Sequence, residues 1–198
     1  MASSSQHDVT AAFAAAVQEY RQRGDIAVLI DRIKDLSNAT DPETLGRVSA
    51  PYRDLPEVVI PVYERVVAAS PHDAQAMVIL ANAYWITGRG SDVVGALASR
   101  AISVDAGNRG AWHLWALSES NPRERVERWT LVTTHFPTDQ LARAALADNA
   151  ASLAGAEHDP LALDLAVRTY EGLWAEASRA EERLALEETI AKLKGWKL

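Results

Sequence analysis

The sequence predicts an all-α protein in which helix–turn–helix pairs stack one on the next as a short solenoid. Three observations predict it. Apolar residues recur at i, i+3, i+4, i+7 along most of the chain. Valine and isoleucine rarely alternate with polar residues over the length of a strand. The breaks are regularly spaced: Pro71 to Pro137 spans two helix pairs of about 33 residues each. A single pair cannot bury its apolar face alone, so stacked neighbours are implied.

Residues 74–108 show the unit most clearly. Met77, Leu80, Ala81 and Tyr84 form one apolar stripe, and Val94, Ala98, Ala101 and Ile102 form the next. Gly88 and Gly90 stop the first helix, and either Ser91 or Asp92 can cap the second. This stretch resembles a tetratricopeptide (TPR) repeat through Met77, Leu80, Ala81, Tyr84, Gly88, Ala101 and Asp105. It departs from the pattern in two places. The loop is one residue longer than usual, and Ala106 stands where a proline is common. Half-a-TPR and Sel1-like arrays share much of the same spacing. The resemblance implies a right-handed α-solenoid.

The remaining units follow in order. Residues 1–7 are small and polar and are expected to be a disordered tail, with a helix beginning near Asp8 or Thr10. Phe13, Ala16, Val17 and Tyr20 make its buried face, Gly24 ends it, and Asp25 caps the next helix. There Ile26, Leu29, Ile30, Ile33 and Leu36 form the stripe. Phe13, Tyr20 and Gly24 repeat the spacing of Met77, Tyr84 and Gly88, a second match to the TPR pattern. Residues 37–57 are expected to form an irregular connector, with a short helix from Asp41-Pro42 through Leu45, because Gly46, Pro51 and Pro56 interrupt anything longer. A helix over Pro56 to Ala69 buries Val59, Tyr63, Val66 and Val67 and either starts or kinks at Pro61.

Beyond the central unit, Trp112, Trp115 and Ala116 are the expected core of a short helix, and Pro122 opens its partner, which turns Val126, Trp129, Val132 and Thr133 inward. Leu141, Ala145, Leu146, Ala150 and Leu153 build the next helix, ended by Gly155. Asp159-Pro160 opens another, with Leu163, Ala166, Val167, Tyr170, Leu173 and Trp174 as its stripe. The last helix places Leu184, Leu186, Ile190 and Leu193 on one face and charges on the other, as a capping element requires. The units lie at about 10–42, 43–73, 74–108, 109–139 and 140–177, with the capping helix at 178–195, in one domain over 8–198.

Composition narrows the function. Nearly half of the 198 residues, 48%, are hydrophobic, with alanine and leucine prominent, and the net charge is −7. An acidic chain lacks the basic face that general nucleic-acid binding needs. With no cysteine, thiolate metal sites and cysteine nucleophiles are excluded. The N-terminus has no signal-peptide pattern, and no run of apolar residues is long enough to span a bilayer. The expectation is a cytoplasmic protein with neither nucleic-acid nor membrane partner. Its Ala-, Arg- and Asp-rich usage points to a bacterial source.

No catalytic residue, metal site or cofactor is expected. No two of His7, His72, His113, His135 and His158 stand at i, i+4. Asp73 and Asp159 are read as helix caps beside solvated histidines. Gly88-Arg89-Gly90-Ser91 lacks the strand and lysine of a phosphate loop and is read as a turn. Arg123, Arg125 and Arg128, interleaved with Glu124 and Glu127, read as a solvated face, as do Glu181, Glu182, Glu187 and Glu188. Of the six tryptophans, Trp112, Trp115, Trp129 and Trp174 fall at core positions.

Trp85 does not. It follows Tyr84 and so points about 100° off the core stripe. In TPR proteins the first helix of each pair lines a concave groove. The resemblance places Gln75, Val78, Asn82, Trp85 and Ile86 there, followed by Gly110, His113, Leu114 and Leu117. It also implies a protein or peptide partner. The family's carboxylate clamp is not expected, because Val78 and Leu114 stand where it has basic residues, although Asn82 matches. The leading reading is a non-catalytic scaffold or adaptor that docks a peptide or helix in this groove. The alternative is a self-assembling subunit, a possible homo-oligomer, joined through Leu184, Leu186, Ile190 and Trp196. Trp196 either folds back or meets a partner. A small-molecule binder or enzyme is a third reading, with no motif behind it.

Overall fold

The computed structural model describes the backbone of residues 2–197 and the side chains of residues 8–197. Among the described residues there are eleven α-helices, one 3-10 turn and no strand. They fall into two compact units, Met1–Leu114 and Trp115–Leu198. The division falls within a short helix, α7 (Arg109–Leu117).

The first unit begins with α1 (Ala2–Arg23) and α2 (Ile26–Ala39). Phe13, Ala16 and Val17 are buried as the spacing predicts, and so are Leu29 and Ile33. The turn at Gly24 has φ +73°, which a side chain would resist, and Asp25 accepts from the Val28 amide at 3.1 Å to cap α2. The backbone is helical from Ala2, and this corrects the expected disordered tail for residues 2–7. No proline or glycine lies ahead of Gly24 to stop the helix. Residues 37–57 are also more regular than expected. After α2 come α3 (Pro42–Val48), capped by Asp41 through the Thr44 amide at 2.9 Å, and a 3-10 turn (Ala50–Tyr52). The helix passes Gly46 because Leu45 and Val48, both buried, gain more from packing than one glycine costs.

The helix on which this unit centres is α4 (Pro56–Ala69). It packs against α2, α3 and α5 (Ala74–Ile86). Val58, Val59, Val62 and Tyr63 are all buried, so the helix is covered on two faces. It starts at Pro56 and runs through Pro61, which has no amide to give the Glu57 carbonyl. An interior proline costs about 3 kcal/mol, whereas each fully buried valine stabilises by roughly 1.5–3 kcal/mol, so packing prevails. In α5, Asp73 accepts from the Ala76 amide at 2.9 Å, and Gly88 at φ +69° lets the Arg89 amide reach back to the Tyr84 carbonyl. The expected cap on α6 (Ser91–Val104) is corrected. Gly90 holds the N-cap with no side-chain bond, and Ser91 and Asp92 are already inside the first turn.

In the second unit α8 (Pro122–His135) is capped by Asn121, α9 (Gln140–Glu157) by Asp139, and α10 (Pro160–Glu176) by Asp159. Ala142, Leu146, Ala147 and Ala150 of α9 and Ala162 and Ala166 of α10 are buried and the two helices pack together, with small residues that let the backbones approach. Leu146, Ala150 and Leu153 are buried as predicted, but Leu141 stands exposed at the start of the helix, where Ala142 takes the buried position. Gly155 does not end α9. The helix continues to Glu157 and closes with His158 at φ +53°. Gly155 instead gives space to Trp196, whose ring would lie 3.2 Å from a Cβ placed there. The C-terminal tryptophan therefore folds back onto α9, while α11 (Ala180–Lys194) packs on α10 and buries Leu193.

Candidate functional site

Two faces of α5 differ sharply. Ala74, Ala76, Met77, Leu80, Ala81, Ala83 and Tyr84 are buried. Gln75, Asn82, Trp85 and Ile86 are exposed and Val78 is half-buried. The spacing 75, 78, 82, 85 and 86 places these five on one side of the helix. Trp85 is 39% and Ile86 64% exposed, so two large apolar side chains meet solvent at adjacent positions. The amides of Gln75 and Asn82 carry no hydrogen bond among the described residues. They leave polar heads beside an apolar surface.

Two neighbours border this face within the first unit. A Cβ on Gly110 would lie 3.1 Å from the Val78 side chain, so the start of α7 approaches α5 closely there. His113 lies one turn further on and is half-buried. Leu114, the next position the resemblance places in the groove, is buried instead, and Leu117 is exposed. On the other side a cleft of about 440 Å³ opens between α3, α4 and α5, with Gln75 and Ile79 on its α5 wall and Glu43 and Arg53 opposite. The sequence reading missed this cleft. Pro51 and Pro56 follow α3, which has only seven residues and leaves that flank of α5 without a full-length neighbour.

The opposite side of α5 is held by charge. The Tyr84 hydroxyl donates to Glu64 of α4 at 2.7 Å, and Arg89 pairs with the same carboxylate at 3.1 Å while lying over the Tyr84 ring. Burial, then the Glu64 carboxylate, pushes the Tyr84 hydroxyl up to about 12. These bonds fix the rotation of α5 about its axis, and with it the direction in which Trp85 points.

The remaining sequence candidates are distributed as follows. Trp129 is buried as predicted. Trp112 and Trp115 are only half-buried, which corrects their core assignment. Ala111, Leu114 and Ala116 take the buried positions, while the Trp112 indole donates to the Ala106 carbonyl at 2.9 Å and Arg128 stacks over Trp115. Trp174 is 38% exposed beneath Arg183, again outside the core. Of the charged residues of α8, Arg123, Glu124 and Glu127 are exposed as predicted, whereas Arg125 and Arg128 are half-buried. Arg125 donates to the Glu119 carbonyl and to Asn149, Arg128 to the Trp115 carbonyl, and Arg123 pairs with Glu157 and Asp159. Among the described residues no group of three His, Asp or Glu side chains is placed to hold a metal ion. No helix of the described chain is long and apolar enough to cross a membrane.

This is the all-α helix-pair fold of TPR proteins, as the resemblance of 74–108 implies. The chain is similar to the crystal structure of MamA, with a TM-score of 0.57 at 21% identity over 88% of this chain and 95% of that one. It is likewise similar to a thermophilic TPR protein in Thermus thermophilus (TM-score 0.53, 18% identity, 96% and 98% covered). A tetratricopeptide repeat protein from Parabacteroides merdae gives 0.57 at 13% identity, with 96% and 72% covered. No family model and no curated protein sequence matches the chain.

Proposed function

We propose that this protein is a non-catalytic, cytoplasmic scaffold that docks a peptide or helix of a protein partner on the exposed face of α5. Protein interaction in general accords with the TPR fold of its structural neighbours. The finer reading is carried by one observation: Trp85 and Ile86 stand exposed on a helix whose other face is buried. Gln75 and Asn82 supply hydrogen bonds to a partner backbone, Val78 adds apolar contact, and His113 flanks the site from α7. The partner contact is mainly apolar.

Affinity capture from the source organism's lysate tests the reading, with the wild type and the Asn82→Ala, Trp85→Ala double variant run side by side. A protein retained by the wild type and lost with the variant supports it. Equal retention by both would move the site away from α5.

Self-assembly through α11 is the second reading. Leu184 is 57% exposed, and Leu186 and Ile190 are only half-covered, so part of its apolar face is open. Trp196 lies against Gly155 and is half-buried. A strictly monomeric mass in solution at high concentration would remove this reading.

A further inference from the structure

A second apolar cleft, of about 500 Å³, lies on the opposite side of α5, between α4 and α6. Its floor is Leu80 and Tyr84 of α5. One wall is Glu64, Val67 and Ala68 of α4 with Pro71 just beyond its C-cap; the other is Val93, Ala96, Leu97 and Arg100 of α6. The α6 wall is one helical row with steps of three, four and seven residues, and Glu64, Val67 and Ala68 give the α4 wall steps of three and four, the rows between which the ridge of another helix fits. Alanine on both walls keeps the channel wide. Val93, Ala96 and Ala68 are exposed, so apolar surface lines it up to the rim.

The charges distinguish the two walls. Glu64 is already neutralised by Arg89 and by the Tyr84 hydroxyl. Arg100 is exposed and has no ion pair or side-chain hydrogen bond among the described residues. The cleft therefore presents one uncompensated positive charge beside an apolar channel, on a protein whose net charge is −7. An occupant that complements it is apolar along one ridge and negative where it meets Arg100.

We propose that the α4–α6 cleft is a second docking surface, for an amphipathic helical segment of another protein carrying an acidic residue beside its apolar ridge. Apolar residues at i, i+3/i+4 and i+7 fill the channel over Leu80 and Leu97, and the acidic side chain pairs with Arg100. This surface is separate from the Trp85 face, so either can fail without the other.

The test is a display selection of random 16-residue peptides on the full-length protein. The enriched peptides are then measured against Arg100→Glu, Ala96→Trp and Trp85→Ala, each checked for a wild-type circular-dichroism melt. The expected result is peptides with helically spaced apolar residues and an Asp or Glu. Their affinity falls about tenfold or more with Arg100→Glu and with Ala96→Trp, and is unchanged with Trp85→Ala. Peptides lost only with Trp85→Ala would overturn the cleft and leave the α5 face standing. Enrichment without acidic residues, or no enrichment, would overturn it as well. So would a self-associating protein whose self-association Ala96→Trp abolishes, because the occupant would then be a second copy.

Discussion

The Tyr84 hydroxyl of α5 donates a hydrogen bond to Glu64 of α4, and in the second unit Tyr170 of α10 does the same to Asp148 of α9. In both, a tyrosine near the C-terminal end of one helix joins a carboxylate on the preceding one. Burial first, and the adjacent carboxylate second, raise both phenols above the usual 10. The folded state favours the protonated phenol, so this stabilisation is complete below pH 10. For Tyr84 it disappears as pH rises from 10 through about 12. Ultraviolet titration should show two tyrosines ionising late. Tyr84→Phe should remove one of them and cost about 1–2 kcal/mol at neutral pH. A late phase unaltered in Tyr84→Phe would contradict this account.

Ser37 presents the opposite situation. It is buried in α2, and its hydroxyl has no hydrogen-bond partner. Burying an unpaired hydroxyl costs about 1–3 kcal/mol, and the methyl of alanine fills most of the same space. Ser37→Ala should leave the urea midpoint unchanged or raise it. A loss greater than about 1 kcal/mol would mean that the hydroxyl has a partner in solution.

Arg128 acts as a clamp in the second unit. Its guanidinium donates to the Trp115 carbonyl at 2.8 Å, pairs with Glu119 and lies 4.7 Å from the centre of the Trp115 ring. Lysine cannot reproduce this fork. Both Arg128→Ala and Arg128→Lys should destabilise, the alanine variant by about 2 kcal/mol. Full retention of the wild-type melting temperature by Arg128→Lys would show that charge alone suffices.

The Asp139 carboxylate accepts from the Leu141 and Ala142 amides and is itself buried. Asp139→Ala should cost about 1 kcal/mol, with Asp139→Asn recovering most of it, as measured by chemical denaturation. Equal losses in the two variants would exclude capping as the cause.

The helices whose ends carry turn chemistry were legible in the sequence. Gly24 with Asp25, Asp73, Asn121-Pro122 and Asp159-Pro160 each mark a boundary that the structure reproduces. What could not be read was the rotation of the alanine-rich helices. Alanine counts as apolar on every face, so at Leu141 and at Trp112 and Trp115 a neighbouring alanine or leucine can take the buried position instead. Only the neighbouring helix selects between them. Trp85 was legible because Tyr84 beside it is anchored to the core. The α3–α5 and α4–α6 clefts depend on how far apart three helices stand, and no spacing within one helix reports that. Arg125 and Arg128 read as surface charges because carbonyl acceptors are invisible in a sequence.

Gly155 and Trp196 are separated by 41 positions yet form a single heritable trait. Alanine at 155 strengthens the helix by about 1 kcal/mol in isolation, but its Cβ meets the indole at 3.2 Å and the ring must shift by a few tenths of an ångström, so the net gain depends on what stands at 196. Drift at either position is therefore conditional on the other. Relatives should divide into those with both glycine and tryptophan and those with neither, with intermediates scarce.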